Sequence, residues 1–292
     1  MNNLITRTLS GIVFLIILIG AIVFDPLSYA VLMLLIVIGG TWEYYKLLLP
    51  KGFAIRKILG IFASALLFLI MFYYVWSYRQ CLLLLLMFIP IVAIFIAELY
   101  SKSEHPMRNI AITLSGIIYI ALPFSLMNLL VFPASAIADM SHSYNYDYRM
   151  LLTFFIILWT NDVGAYCVGS TLGRSGKHKL FERISPKKSW EGFVGGIVLS
   201  MIAGFVLYFV WGDNYQVAQI HWIFIGLIVS IFGTLGDLVE SMLKRSVGVK
   251  DSGNIMPGHG GILDRFDGVL LGFPMMLIYW EAINIVYFLL SK

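Results

Sequence analysis

The residues with the clearest potential for chemistry lie in one segment near the C-terminal end of the chain, Gly236 to Gly268. Acidic, basic and glycine residues are dense there, between two long apolar stretches. If the preceding helix continues into this segment, Asp237, Ser241 and Lys244 share one face, because residues three and four apart are neighbours on a helix. Glu240 lies slightly off that line. We therefore expect a carboxylate, a hydroxyl and an ammonium group to converge at the end of this helix.

Two further aspartates, Asp264 and Asp267, stand three residues apart at the predicted start of the last helix. Acids in that position often cap a helix or interact with its dipole. Carboxylate oxygens also suit Mg²⁺, which binds few carboxylates and keeps water and substrate phosphates as its other ligands. We predict that Asp237, Asp264 and Asp267 bind a metal ion, and that these three residues and Lys244 are catalytic.

A second polar cluster is a basic, glycine-containing loop that runs from Gly173 to Lys179 and continues from Ser185 to Gly192. Glycines let the backbone approach a ligand closely, and lysine and arginine donate to phosphate oxygens. A basic loop beside a membrane more often fixes topology or contacts anionic lipid. This loop alone therefore does not decide between the two roles.

A third polar position is Asp162, inside a long apolar stretch about ten residues from its C-terminal end. A carboxylate at that depth is costly unless it faces a cation or a hydrated cavity, and such residues are usually functional. A hydrogen bond between helices is the structural alternative. We expect Asp162 to form part of the polar floor of the site.

Taken together, these segments resemble the signature of the CDP-diacylglycerol synthase, or phosphatidate cytidylyltransferase, family. The resemblance is carried by Ser241-x-x-Lys244-Arg245-x4-Lys250-Asp251-x-Gly253 and by His259-Gly260-Gly261-x-x-Asp264-Arg265-x-Asp267. Asp162 to Tyr166 and Ser185 to Gly192 also look like blocks of this family, whereas Met256 departs from it by one apolar exchange. The N-terminal half is similar only as a hydrophobic bundle.

The resemblance implies that CTP and phosphatidate react to give CDP-diacylglycerol and pyrophosphate. It implies Mg²⁺, a second, monovalent cation such as K⁺, and a homodimer in the bilayer, and no nucleic-acid partner. The implied substrate-binding residues are polar residues and glycines of the three clusters: Asp162, Ser185, Lys187, Lys188, Ser241, Arg245, Lys250, His259, Gly260, Gly261 and Arg265.

Two other functions stay open. A CTP-dependent lipid kinase would move the γ-phosphate to an alcohol and would need similar acids and bases, so only the long signature separates it. An ion-coupled transporter could use Asp162 and Glu281 as cation or proton sites. The transporter is disfavoured because the polar clusters gather in one half of the chain.

The elements that must position these residues are membrane helices. Of the 292 residues, 60% are hydrophobic and 12% are charged, against about 25% charged in soluble domains. Backbone amides in hydrocarbon must be satisfied within their own segment, which forces helices. We predict an all-α, polytopic bundle of about nine spans: Leu9–Phe24, Leu27–Leu48, Ala54–Tyr78, Cys81–Tyr100, Ile110–Phe132, Leu151–Leu172, Phe193–Trp211, Ile220–Val239 and Phe266–Leu290.

The basic residues indicate the orientation of these spans. With a cytoplasmic N-terminus, 17 of the 20 lysines and arginines flank the inner ends, and only Arg79, Arg149 and Lys292 lie outside, as the positive-inside rule requires. We expect residues 1–148 to form a scaffold and residues 149–292 to carry the cytoplasmic catalytic loops, in the inner membrane if the source is bacterial. Glu43 and Glu98 are expected at inner helix ends, where they reach water in a structural role.

Overall fold

The fold is a bundle of long apolar helices. The computed structural model describes residues 3–49, 55–76, 82–133, 146–175, 178–215, 217–253, 255 and 260–290. Within them the helices are α1 (Asn3–Phe24), α2 (Pro26–Leu48), α3 (Lys57–Trp76), α4 (Leu82–Leu85), α5 (Phe88–Leu99), α6 (Pro106–Gly116), α7 (Leu122–Val131), α8 (Arg149–Thr171), α9 (Trp190–Trp211), α10 (Gln219–Ser246) and α11 (Leu263–Leu290). A π-helical turn, Ile117–Ala121, joins α6 to α7.

The described residues contain eight helical spans that are long and apolar enough to cross a membrane, where α4 and α5 together form one span, Leu82–Leu99, and α6 and α7 with the turn between them form another, Pro106–Val131. The prediction of a polytopic helical membrane protein is thereby confirmed. The expected first span is the exception, because the apolar part of α1 with described side chains, Thr8–Phe24, falls in a shorter class of helices.

One element departs from an all-helical description. Residues expected to form a basic loop fold into an antiparallel hairpin of β1 (Lys179–Phe181) and β2 (Ser185–Ser189). The strands are short and polar, so the pattern of apolar alternation that predicts a strand is missing from the sequence.

The chain forms two compact units. The first contains Met1–Tyr148 together with Ser246–Phe266, and the second contains Arg149–Arg245 together with Asp267–Lys292. The first unit thus takes in a segment that the sequence division placed in the C-terminal half.

In the first unit, α2, α3 and α6 pack around the side chain of Tyr45. Its hydroxyl donates to the carbonyl oxygen of Thr113 at 2.5 Å. A Cβ at Gly60 or at Gly116 would overlap the Tyr45 ring, so the two glycines make room for this residue. The ring and its hydrogen bond together fix the contact between these helices.

The two buried acids of the first unit correct one expectation. Glu43 and Glu98 were expected to reach water, but their exposed fractions are 0% and 2%. Glu98 receives the Arg56 Nε hydrogen at 2.8 Å and the Asn109 Nδ2 hydrogen at 2.7 Å. These two hydrogen bonds compensate the cost of burying the Glu98 carboxyl group. Its position near a helix end gave no sign of this burial.

In the second unit, α9 presents small residues every fourth position: Gly192, Gly196, Ser200 and Gly204, all buried. A Cβ at Gly192 would lie 2.8 Å from the carbonyl oxygen of Ala165 in α8. Small residues at this spacing let membrane helices approach closely. They bring α9 against α8, the helix that carries Asp162.

Candidate active site

The end of α10 carries the predicted polar face. The helix continues to Ser246, as the sequence analysis required for its acid, hydroxyl and lysine to align. The Ser241 hydroxyl donates to Asp237 Oδ1 at 3.2 Å. Asp237 and Ser241 are partly buried, so they can be reached by a ligand.

Glu240 and Lys244 form a buried ion pair on the same helix. Glu240 is 0% exposed and Lys244 is 8% exposed, and the Lys244 ammonium contacts Glu240 Oε2. Each charge compensates the other, and removing either would leave an unpaired charge in a place of low dielectric. The structure thus gives Lys244 a carboxylate partner that sequence reasoning did not assign.

The hairpin brings a second lysine to α10. Lys188 Nζ lies 2.6 Å from Asp237 Oδ2, so Asp237 accepts from a lysine on one oxygen and from Ser241 on the other. Its neighbour Lys187 is exposed. Alternation along a strand explains the difference, because successive side chains point to opposite faces.

The hairpin is held against the start of α9. The Ser189 side chain caps that helix by accepting the Gly192 backbone hydrogen at 3.2 Å. His178 Nδ1 and Glu191 Oε1 are 2.6 Å apart. The cap and this pair fix the strand that presents Lys188, while Ser185, at the start of β2, is partly buried.

Asp267, in the first turns of α11, lies among like charges. The carboxylates of Asp237, Glu240 and Asp162 lie near enough to act on it as like charges. Asp162 is itself exposed on α8. Four acids thus interact within the second unit, together with Lys188 and Lys244.

This donor set can be compared with the needs of a divalent cation. Among the described residues, no three His, Cys, Asp or Glu side chains are grouped closely enough to hold a metal ion. Mg²⁺ does not require such a cage, because it commonly uses one or two carboxylates and completes its shell with water and phosphate oxygens. Asp237 and Asp267 fit that pattern, with mutual repulsion that a cation would relieve.

The remaining predicted ligand, Asp264, belongs to the first unit. Its Oδ2 accepts hydrogen bonds from the Gly261 backbone at 2.8 Å, from the Ser252 backbone at 2.9 Å and from the Ser252 hydroxyl at 3.0 Å. This pattern caps the start of α11 and closes the turn before it. The backbone of Gly260 has a left-handed conformation, with a φ of +84°, and a Cβ there would overlap Asp264.

The same turn rests on Glu43 of α2. Glu43 Oε2 accepts from the Ser252 hydroxyl at 3.2 Å and from the Leu263 backbone at 3.0 Å. Sequence reasoning missed this contact, because the partners of Glu43 lie more than two hundred residues away in the chain.

The other predicted site residues fall into two groups. Arg245, Lys250 and Arg265 are exposed, as phosphate donors near a surface would be. His259 lies outside the described residues.

One further residue beside Asp162 belongs to the same polar cluster of the sequence, but the sequence analysis assigned it no role. Asn161 is buried, accepts from the Ser230 hydroxyl at 2.6 Å and donates to Thr234 Oγ1 at 3.3 Å. Asn161 therefore joins α8, which carries Asp162, to α10, which carries Asp237. Its polar type within an apolar stretch was the only sequence signal for this role.

Fold and site together define a multi-pass membrane protein in which α8, α10, α11 and the hairpin carry a cluster of acids and lysines. Residues 5–283 match the model of the cytidylyltransferase family. The chain belongs to that family.

Individual relatives agree with this assignment. The chain is 32% identical to a phosphatidate cytidylyltransferase of Bacillus subtilis over 279 residues, which cover 94% of this chain and 95% of the relative. Proteins with the same name from Staphylococcus haemolyticus and Staphylococcus aureus are 48% and 49% identical over 128 and 130 residues. These two matches cover 44% of the chain and 47% of each relative.

Proposed function

We propose that the chain transfers the cytidylyl group of CTP to phosphatidate, giving CDP-diacylglycerol and pyrophosphate. The observation that carries the proposal is the match over nearly the full length to a phosphatidate cytidylyltransferase. The cluster around Asp237 supports it, since it combines carboxylates and lysines as a reaction between two phosphates requires.

The reaction joins two anions. A phosphate oxygen of phosphatidate attacks the α-phosphorus of CTP, and the bond to the pyrophosphate oxygen breaks in line with it. Catalysis of such a step consists mainly of positioning and charge neutralisation. A general base is unnecessary, because the attacking phosphate is already ionised.

The lysines would supply part of the neutralisation. Lys188 is held at Asp237 by its ion pair, from which its ammonium can also donate to a phosphate oxygen. Lys187, Arg245, Lys250 and Arg265 are exposed donors that we assign to phosphate binding, together with Lys244, Ser185, Ser241, His259, Gly260 and Gly261 as predicted.

We assign Mg²⁺ to Asp237 and Asp267, where like charges gather. When bound, Mg²⁺ would neutralise charge on the triphosphate. Asp264 stays a predicted ligand on its sequence position, and its observed hydrogen bonds give it a role in the turn before α11. Asp162 would add negative potential beside the cation, and a monovalent cation such as K⁺ is proposed as a companion.

We further propose that the N-terminus and the hairpin face the cytoplasm, in the inner membrane of a bacterium, and that the protein is a homodimer. The positive-inside rule supports the orientation. Phosphatidate would then reach the site from the inner leaflet, since its acyl chains are costly to expose to water.

The position of the label in the product tests the reaction. Protein purified in detergent is incubated with phosphatidate, Mg²⁺ and CTP labelled either at the α or at the γ phosphorus. We expect α label in the lipid fraction and γ label in released pyrophosphate. Transfer of γ label to lipid would show a kinase and overturn the proposal.

Two controls make the assay specific. ATP, GTP and UTP at the same concentration test the base, and diacylglycerol in place of phosphatidate tests the need for a lipid phosphate. Equal product from diacylglycerol would also contradict the proposed reaction.

A further inference from the structure

Glu43 is an acidic side chain of the N-terminal half that reaches the signature segment. It lies on α2 and is 0% exposed. Through Oε2 it binds the Ser252 hydroxyl and the Leu263 backbone hydrogen, at 3.2 and 3.0 Å. Its contacts are therefore made with the turn that precedes α11, within the first unit.

The backbone of this turn closes directly on the carboxylate. A Cβ at Gly253 or at Gly261 would overlap Glu43. Glycine is thus required at two points of the signature because Glu43 occupies the space that a side chain would take. The signature and α2 are matched in shape as well as in hydrogen bonding.

Ser252 links Glu43 to the second carboxylate of this turn. Its hydroxyl lies 3.2 Å from Glu43 Oε2 and 3.0 Å from Asp264 Oδ2, although it has one hydrogen to donate. Asp264 in turn accepts the backbone hydrogens of Ser252 and Gly261. A displacement of Glu43 would therefore be transmitted to Asp264.

A purely structural role does not explain why an acid stands at position 43. Glu43 Oε1 is buried and finds no hydrogen-bond donor among the described residues. An unsatisfied buried oxygen is costly, and in a native structure it calls for a reason. Glu98, the other buried acid among the described residues of the unit, has hydrogen bonds to Asn109 and Arg56 on its two oxygens.

We propose that Glu43 is a positioning residue for the transfer reaction, which holds Ser252, Gly253, Gly261 and Leu263 in place and with them Asp264 and the start of α11. This inference rests on the proposed function. It assigns a catalytic contribution to α2, in the half of the chain that the sequence analysis treated as scaffold.

The test compares Glu43→Gln with the matched variant Glu98→Gln, which changes a similarly buried acid whose hydrogen bonds are made with Arg56 and Asn109. Backbone hydrogen exchange is measured by mass spectrometry on peptides that cover 246–266. Turnover and KM for CTP are measured on the same detergent preparations, and thermal unfolding on each.

For Glu43→Gln we expect exchange in 246–266 to rise about tenfold and kcat to fall about tenfold, with KM changed by less than about threefold, since the amide keeps one acceptor oxygen and its NH2 group cannot accept a hydrogen bond. For Glu98→Gln we expect unchanged exchange in 246–266 and kcat within about threefold of wild type. Unchanged exchange in Glu43→Gln overturns the proposal. So does an equal fall of kcat in Glu98→Gln at an equal loss of Tm.

Ser252→Ala keeps the test decisive if Glu43→Gln does not fold. It removes the hydroxyl link from the other side and should raise exchange in 246–266 and lower kcat by about threefold. No change in either quantity would contradict the inference. If wild-type protein makes no labelled lipid, the proposed function fails, while the exchange data still decide whether Glu43 holds the turn.

Discussion

Lys187 and Lys188 are adjacent in β2, yet their side chains have different surroundings. Lys188 pairs with Asp237, whereas Lys187 is exposed. Sequence reasoning gave the two residues the same role, because nothing in a basic loop distinguishes neighbours. The strand gives the two lysines different surroundings, since successive side chains of a strand point to opposite faces and only Lys188 points to α10.

We predict unequal effects of the two alanine variants. Lys188→Ala should cost about 1.5–3 kcal/mol of transition-state stabilisation, hence more than about tenfold in kcat/KM, as for a hydrogen bond that involves a charged group. Lys187→Ala should cost less than about threefold. Steady-state kinetics with both substrates check this, with gel filtration to show that each variant stays monodisperse. Equal losses would mean that the ion pair with Asp237 does not distinguish Lys188 in catalysis.

A second residue-scale prediction concerns the proposed metal. Asp237→Asn should lower kcat about a hundredfold or more, because removing one ligand from a two-carboxylate site weakens Mg²⁺ and phosphate binding together. It should also raise the Mg²⁺ concentration for half-maximal activity. A titration of activity with Mg²⁺ measures both effects. Wild-type turnover at saturating Mg²⁺ would remove Asp237 from the site.

At this scale the sequence predicted which residue types gather, and it could not predict their partners. The face of Asp237, Ser241 and Lys244 follows from helical spacing and is seen in α10. The four-residue spacing of Glu240 and Lys244 permits their ion pair but does not show that the pair is buried, and the role of Glu43 needed contacts across more than two hundred residues. Burial and distant contacts are not encoded in local spacing.

At the scale of elements, α9 depends on its small residues. A Cβ at Gly204 would overlap the backbone carbonyl oxygen of Trp222 in α10, and one at Gly226 would overlap that of Ser200. The backbones of α9 and α10 therefore touch at two reciprocal points. The four-residue spacing of small side chains was available in the sequence as a sign of close helix packing.

Gly204→Ala should destabilise the protein, although alanine favours helix by up to about 1 kcal/mol. A backbone carbonyl cannot move aside cheaply, and overpacking typically costs about 1–3 kcal/mol. Gly20→Ala is the matched control, since nothing lies within 4 Å of a Cβ there. Thermal unfolding in detergent should show a lower Tm for Gly204→Ala alone. A Tm unchanged from wild type would show that α9 and α10 can separate without cost.

Hydropathy predicted the membrane helices because a long apolar stretch in lipid can satisfy its own backbone hydrogen bonds only as a helix. It could not predict the short polar hairpin or the π-helical turn between α6 and α7, since neither has an apolar period of its own. Helix ends were set by caps such as Ser189, which lie outside the apolar pattern.

At the scale of the whole molecule, the orientation in the membrane is open to a direct test. Arg183 follows β1 and Asp213 follows α9, and both side chains are exposed. We introduce Arg183→Cys or Asp213→Cys after replacing both native cysteines by serine. A membrane-impermeant thiol reagent should label Asp213→Cys in intact spheroplasts and Arg183→Cys in inverted vesicles. The reverse pattern would place the hairpin outside the cell and contradict the proposed cytoplasmic site.

The discontinuous first unit also constrains how the chain is made. Glu43 is synthesised 209 residues before Ser252 and 220 residues before Leu263, so the helix that carries it is inserted long before its partners exist. A carboxylate in a membrane segment without partners is costly, and this state lasts until the ribosome has passed the end of α10. A nascent chain released at Arg245 would keep Glu43 without Ser252 and Leu263 as partners, and we expect this difference to mark incomplete molecules for degradation. In a pulse-chase experiment, we expect that fragment to be degraded faster than the same fragment with Glu43→Leu, and equal half-lives would show that the acid does not mark the unfinished chain.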